Sequence, residues 1–198
     1  RAAAHPGVAA VVTYRDVPGK RNQGLIVDDW PLLVAEGETT RCVGDVLAAF
    51  AAESRQAARE AAALVEVDYE VLDPISDPFE ALAEGAQRLH EGGNLLSVSV
   101  VRRGDVEAAL AGAAHVATET FRTAAIEHAF LEPESCLAVP SGEGAGEDVG
   151  HRPPAIHLYS QGQGAWEDRR QVASFLDLPE RDVRVTQVPT GGAFGGKE

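Results

Sequence analysis

The sequence has only two cysteines in 198 residues, Cys42 and Cys136, and no Cys-x-x-Cys pair. That excludes an iron–sulfur cluster held by this chain alone, because such clusters ordinarily take four cysteine thiolates. A disulfide framework or a thiolate zinc site is equally unsupported. Each cysteine falls inside an expected strand among apolar neighbours, so both are read as buried core thiols. Basic residues are scarce as well: 17 Lys and Arg stand against 31 Asp and Glu, for a formal charge of −14. A nucleic-acid backbone or an anionic membrane needs clustered cationic side chains, so neither is expected as a partner. No apolar run reaches the ~18 residues of a membrane helix. The start Arg1-Ala2-Ala3-Ala4-His5 has none of the regions of a secretory signal. A cytoplasmic location is the default expectation.

What is present suffices for a core: 44% of the residues are hydrophobic and 24% charged, enough for one or two domains. Val8 to Tyr14 reads as a strand, and Lys20 to Thr40 shows little periodicity. Cys42 to Ala52 reads as an apolar strand interrupted at Gly44-Asp45. Ser54 caps an alanine-rich helix over Arg55 to Leu64. The alternation of Val65, Val67, Tyr69 and Val71 predicts a strand over Val65 to Leu72, and Asp77-Pro78 opens a short helix over Phe79 to Ala83. A first unit thus covers 1–84, followed by a glycine-rich linker over 85–95. The second unit, 96–198, starts with a strand over Leu96 to Val101. Next come a helix over Val106 to Ala111 capped by Asp105, a strand over Val116 to Phe121, and an approach to a sheet over Leu131 to Val139. Gly142 to Pro154 is a glycine, proline and acid loop. The fold class is α+β.

Two glycine-rich turns dominate the end of the chain: Gln161-Gly162-Gln163-Gly164 and Gly191-Gly192-Ala193-Phe194-Gly195-Gly196-Lys197-Glu198. A strand over Ala155 to Tyr159 precedes the first. A helix over Ala165 to Leu176, with Glu167 and Asp168 in its first turn, and a strand over Val183 to Val188 lie between the two. If the strands are parallel neighbours, both turns emerge on one sheet edge and form one composite ligand site. The glycines allow close backbone approach, and the helix N-terminus suits anionic or oxo groups. Gly191 to Lys197 also fits the spacing G-x-x-x-x-G-K of a phosphate-binding loop. Glu198 argues against that reading, because a Ser or Thr is needed there to hold magnesium. Glu127, His128, Glu132 and Glu134 do not have metal-site spacing, and their expected task is hydrogen bonding that places a strand and its neighbouring loop.

The octet GGAFGGKE, the QGQG turn before it, and Ile126-Glu127-His128-Ala129-Phe130-Leu131-Glu132-Pro133-Glu134 together resemble the molybdenum-binding subunit of the xanthine dehydrogenase and aldehyde oxidase family. The likeness extends over the whole chain, with 1–84 similar to that family's small α/β hammerhead domain and 96–198 to the start of its molybdopterin-binding domain. It implies a molybdenum-molybdopterin cofactor in its cytosine dinucleotide form, with no metal ligation by side chains. In the first turn it places Gly162, Gln163 and Gly164 at the cofactor, Gln163 reaching an oxo ligand with Gln161 as its rival. In the second it places Gly192, Phe194 and Gly195, and assigns Glu198 to the substrate.

The resemblance also implies hydroxylation of an N-heterocycle such as xanthine or hypoxanthine, or oxidation of an aldehyde, with water as the oxygen source. An iron–sulfur subunit and an FAD subunit are the implied partners, together with the remainder of the molybdenum subunit. The family's catalytic base is a Glu expected beyond Glu198, so the chain reads as a fragment truncated at both ends and inactive alone. Its incomplete sheet, with apolar residues such as Phe194 exposed, would favour self-association into a homo-oligomer. The alternative is a non-catalytic binding or assembly module that retains the fold without the chemistry.

Overall fold

The computed structural model describes residues 1–140 and 155–197. The expected loop over Gly142 to Pro154 and Glu198, the residue expected to meet the substrate, lie outside the described residues. The chain divides into two compact units: Arg1–Glu70 together with His128–Glu198, and Val71–Glu127.

In the first unit, β1 (Val8–Val12) opens the chain. β2 (Asn22–Gln23) and β3 (Trp30–Pro31) form a short antiparallel ribbon in the stretch that lacks periodicity. β4 (Ala49–Ala52) pairs antiparallel with β1, with an irregularity between Val8 and Ala10. α1 (Arg55–Ala63) begins at Ser54, whose hydroxyl accepts from the Ala57 N–H at 3.1 Å, and buries Ala61 completely. Cys42 departs from expectation: it sits in an exposed turn rather than in a strand. The Asp45 carboxylate accepts from the Arg41 and Cys42 N–H groups at 2.6 and 3.4 Å, and Gly44 has φ +110°. That local closure holds the backbone out of a ladder.

Val71–Glu127 contains α2 (Pro78–Ala81), capped by Asp77, and α3 (Val106–Gly112), capped by Asp105. Both caps match the sequence reading. The expected strands over Leu96 to Val101 and Val116 to Phe121 do not form, nor does the one over Val65 to Leu72. Their apolar residues, including Val98, Val100, Val116 and Phe121, are exposed. Alternation marks which face of a strand would be buried, whereas a strand exists only when a neighbour supplies the lateral hydrogen bonds.

Back in the first unit, β5 (Cys136–Pro140), β6 (Ile156–Ser160), α4 (Ala165–Phe175) and β7 (Val183–Gln187) complete the chain. β6 pairs antiparallel with β5 and parallel with β7. The parallel pairing places the turn after β6 and the turn after β7 at the same sheet edge. Cys136 lies on β5 as expected but is exposed, so neither cysteine is a core thiol. The core of this layer is Leu158, Ala173 and Val183, all buried.

α4 is held from outside by the segment Gly19 to Gly24. The Gly19 and Lys20 N–H groups donate to the Phe175 and Ser174 carbonyls at 2.9 and 3.0 Å. Arg170 donates to the Gln23 side-chain oxygen and the Gly24 carbonyl, both at 3.1 Å, while the Gln23 amide donates to Ser174 Oγ at 2.6 Å. A Cβ at Gly19 would lie 1.9 Å from the Ser174 carbonyl oxygen, so only glycine permits this approach.

On β6, His157 stacks on Tyr159 at 4.2 Å, as residues two apart on one strand face can, and its Nε2 lies 2.9 Å from Thr186 Oγ1. Burial, and secondarily the Arg184 charge, hold its pKa below the ordinary imidazole value. With the folded pKa depressed, the unfolded chain binds more protons between that value and about 6.5. The contribution is therefore complete above about 6.5 and is lost as the pH falls through the folded pKa. We expect thermal midpoints of wild type and His157→Gln to differ in pH dependence below pH ~6.5, wild type falling more steeply on acidification. Parallel curves would refute the assignment.

Candidate cofactor-loop site

The first turn leaves β6 at Ser160 and ends at Gly164, the N-cap of α4. Its two glutamines have different fates. Gln161 is buried, 8% exposed, and fully engaged. Its side-chain oxygen accepts from Ser135 Oγ at 2.9 Å and its amide donates to the Glu132 carboxylate at 2.8 Å. Gln163 is exposed. Its backbone N–H donates to the Lys197 carbonyl at 2.8 Å, and its side-chain oxygen accepts from the Gly195 and Lys197 N–H groups at 2.9 and 3.4 Å. Two N–H donors on one side-chain atom identify it as the amide oxygen, which leaves the NH₂ donor end as the part of Gln163 available to a ligand.

The second turn leaves β7 and folds back on itself. Gly192, Phe194 and Gly195 all have positive φ, +108°, +53° and +86°. For Phe194 this left-handed backbone is unusual, and the residue is 74% exposed. A phenyl ring is thus presented outward on a constrained loop instead of being buried under the sheet. Gly196 has the opposite surroundings: a Cβ there would lie 2.9 Å from both the His128 and Phe130 rings. The two aromatic side chains of the preceding segment therefore grip the loop at a residue that has no side chain.

Glu132 joins the two turns. One carboxylate oxygen accepts from the Gln161 amide and the other from the Gly191 N–H. This is the loop-placing task that the spacing of Glu127 to Glu134 suggests. Lys197 is 1% exposed. Its ammonium donates to the Glu132 carbonyl at 2.8 Å and to Thr190 Oγ1 at 3.2 Å, and lies 4.5 Å from the centre of the Phe130 ring. Thr190 in turn donates to the Gly192 carbonyl at 3.4 Å. None of Glu132, Thr190, Phe130 or Lys197 stands out in the sequence as part of one cluster, since contacts between residues 65 apart leave no periodic trace.

The backbone donors divide in the same way. Gly162 N–H is engaged by Ser160 Oγ at 3.0 Å and its carbonyl by the Gln187 amide at 2.8 Å. The N–H groups of Gly191, Gly195 and Gly196 have protein acceptors. Among the described residues, those of Gly192, Ala193 and Phe194 and of Ala165, Trp166 and Glu167 at the uncapped start of α4 have no protein acceptor. Beside the first turn, Asp168 has a buried carboxylate oxygen without a hydrogen-bond partner among the described residues.

Among the described residues, no three His, Cys, Asp or Glu side chains converge to hold a metal ion directly. What the site offers is a set of N–H donors without protein acceptors, one amide donor and an aromatic face. Such a set fits a polar, oxygen-rich group whose metal, if it has one, brings its own ligands. Among the described residues no helix is long and apolar enough to cross a membrane.

Residues 89–198 match the family model of the molybdopterin cofactor-binding domain, and residues 1–73 that of the aldehyde oxidase and xanthine dehydrogenase a/b hammerhead domain. The chain is 38% identical over 192 residues to a probable xanthine dehydrogenase subunit of Bacillus subtilis, covering 97% of this chain and 24% of that protein. It is 34% identical over 197 residues to the nicotinate dehydrogenase large molybdopterin subunit of Eubacterium barkeri, covering 100% of this chain and 44% of that one. Among solved structures, the aldehyde oxidoreductase of Desulfovibrio gigas superposes with a TM-score of 0.81 at 27% identity, over 99% of this chain and 22% of its own. The chain therefore spans between about a quarter and a half of the length of these curated relatives.

Proposed function

The chain belongs to the xanthine dehydrogenase and aldehyde oxidase family of molybdopterin-binding proteins, and on that premise we propose that it forms part of a molybdenum hydroxylase. Its two glycine-rich loops would contact a molybdenum-molybdopterin cofactor in the cytosine dinucleotide form. The observation that carries the reading is the junction at Gln163, where one side chain ties both loops together and leaves its donor end outward.

Gln163 would donate to an oxygen ligand of the metal, and Gly192, Phe194 and Gly195 would shape the opposite wall, Phe194 covering the group with its exposed ring. Gly162 and Gly164 set the path of the first turn. When bound, the cofactor supplies two-electron oxidation of the substrate carbon, with water as the oxygen source. This chain's residues would bind it and orient it. Glu198 would meet the substrate. An N-heterocycle such as xanthine or hypoxanthine is favoured over an aldehyde, in keeping with the xanthine and nicotinate named for two relatives.

Iron–sulfur and FAD partners would carry the electrons onward, and a cytoplasmic location completes the proposal. So does a domain division into a hammerhead-like domain over 1–84, a linker over 85–95 and a molybdopterin-binding domain from 96.

The test is metal and pterin analysis of the full-length protein produced in a molybdenum-replete host. Stoichiometric molybdenum and pterin are expected, and absence of both would overturn the enzyme reading in favour of a non-catalytic module. In that protein, Gln163→Ala should reduce turnover per bound molybdenum by at least ~10-fold, the loss of about 1.4 kcal/mol of stabilisation. Gln161→Ala should instead lower thermal stability by ~2 kcal/mol, because it removes the hydrogen bonds of a buried side chain to Ser135 and Glu132. A reversed pattern would assign the role to Gln161.

A further inference from the structure

We propose that Lys197 is a positioning residue that acts through Gln163, its buried ammonium fixing the backbone that aims the Gln163 amide. This rests on the reading above that Gln163 faces the cofactor.

Three observations carry it. First, the lysine is anchored by its tip: the ammonium, in a residue 1% exposed, donates to the Glu132 carbonyl and Thr190 Oγ1 and lies over the Phe130 ring. A buried cation survives only where hydrogen bonds and an electron-rich face replace its water. These partners belong to the segment before β5 and to the start of the second loop, so the side chain fastens the end of that loop to both.

Second, the anchored residue holds Gln163 from two sides. Its carbonyl accepts from the Gln163 backbone N–H at 2.8 Å, and its own N–H donates to the Gln163 side-chain oxygen at 3.4 Å. With the amide oxygen held there and by Gly195 at 2.9 Å, rotation of the side chain is restricted and the NH₂ end has one direction left.

Third, Thr190 connects the anchor to the loop that bears Phe194. Its hydroxyl accepts from the ammonium and donates to the Gly192 carbonyl, so the same lysine also steadies the unbonded N–H groups of Gly192 to Phe194. Removing the charge therefore loosens both loops at once, although Lys197 itself is buried.

The experiment is a double-mutant cycle in the full-length protein with wild type, Lys197→Met, Gln163→Ala and the double variant. Molybdenum remaining on the protein after timed gel filtration gives a release rate, and turnover per bound molybdenum is read beside it. Lys197→Met should release the cofactor at least ~10-fold faster than wild type, and in the Gln163→Ala background the same substitution should add less than ~2-fold, because residues that act as a unit are non-additive. Release at the wild-type rate, or effects that multiply, would overturn the proposal. A lysine that merely supports the fold would lower the thermal midpoint equally in both backgrounds without changing release in either.

If Lys197→Met does not fold, Thr190→Val removes one acceptor of the ammonium. It should accelerate release in the same direction, and again only while Gln163 is present. Wild-type protein that carries no molybdenum would instead overturn the functional reading on which this inference stands.

Discussion

Gly195→Val in the full-length protein is expected to abolish cofactor retention while leaving the β1–β4 sheet and α1 folded. Gly195 sits at φ +86° and its N–H is one of the two donors that hold the Gln163 side-chain oxygen. A β-branched residue resists that backbone region, at about 1–3 kcal/mol, and relaxing the strain displaces a hydrogen bond of ~1 kcal/mol. Together these amount to ~2–4 kcal/mol, or roughly 30- to 1,000-fold in retention. Space is not the obstacle, since a Cβ at Gly195 would come no nearer than 3.8 Å to His128. Gly195→Ala should consequently show most of the effect. Molybdenum per chain after gel filtration is the measurement, and normal content in the valine variant would contradict the loop assignment.

Glu132→Ala should be the most damaging single change to the site's architecture. The carboxylate accepts from the Gln161 amide and the Gly191 N–H, a bridge between the first turn and the start of the second that is reinforced only by the longer bond from the Gln161 amide to the Pro189 carbonyl at 3.5 Å among the side-chain bonds of Glu132 and Gln161. Hydrogen bonds to a charged group are worth about 1.5–3 kcal/mol each, and Glu132 is only partly buried, which favours the lower end. A loss of ~3 kcal/mol is expected, or a fall of roughly 6–12 °C in the thermal midpoint for a chain of this size. Glu132→Gln keeps one acceptor and should lose about half as much. Calorimetry of the two variants separates the cases. Equal midpoints for wild type and Glu132→Ala would show that the bridge is dispensable.

The helices are legible in the sequence because their signals are local. Ser54, Asp77 and Asp105 each bond to an N–H within three residues, so the cap and the helix it starts lie in the same short window. The glycine turns are legible for a similar reason, since closely spaced glycines disclose a need for left-handed backbone. The strand, helix, strand order leaves the parallel β6–β7 pairing as a condition, which the structure meets.

Strands elsewhere are not legible in this way, because half of a strand's definition lies in another segment. Leu96 to Val101 has the alternation and lacks the neighbour.

The sequence by itself determined the order of elements around the two loops, the glycines that permit their turns and the family to which the chain belongs. These rest on backbone conformational freedom and on short-range patterns that each residue carries wherever it is placed. Tertiary structure alone decided which glutamine is structural and which faces outward. It also decided that Glu132 and Lys197, 65 residues apart in sequence, close a single network, and that both cysteines are exposed. The physical reason is the same throughout. A side chain's role depends on whether partners satisfy or bury it, and those partners come from segments whose proximity is created by folding and is written in no local pattern.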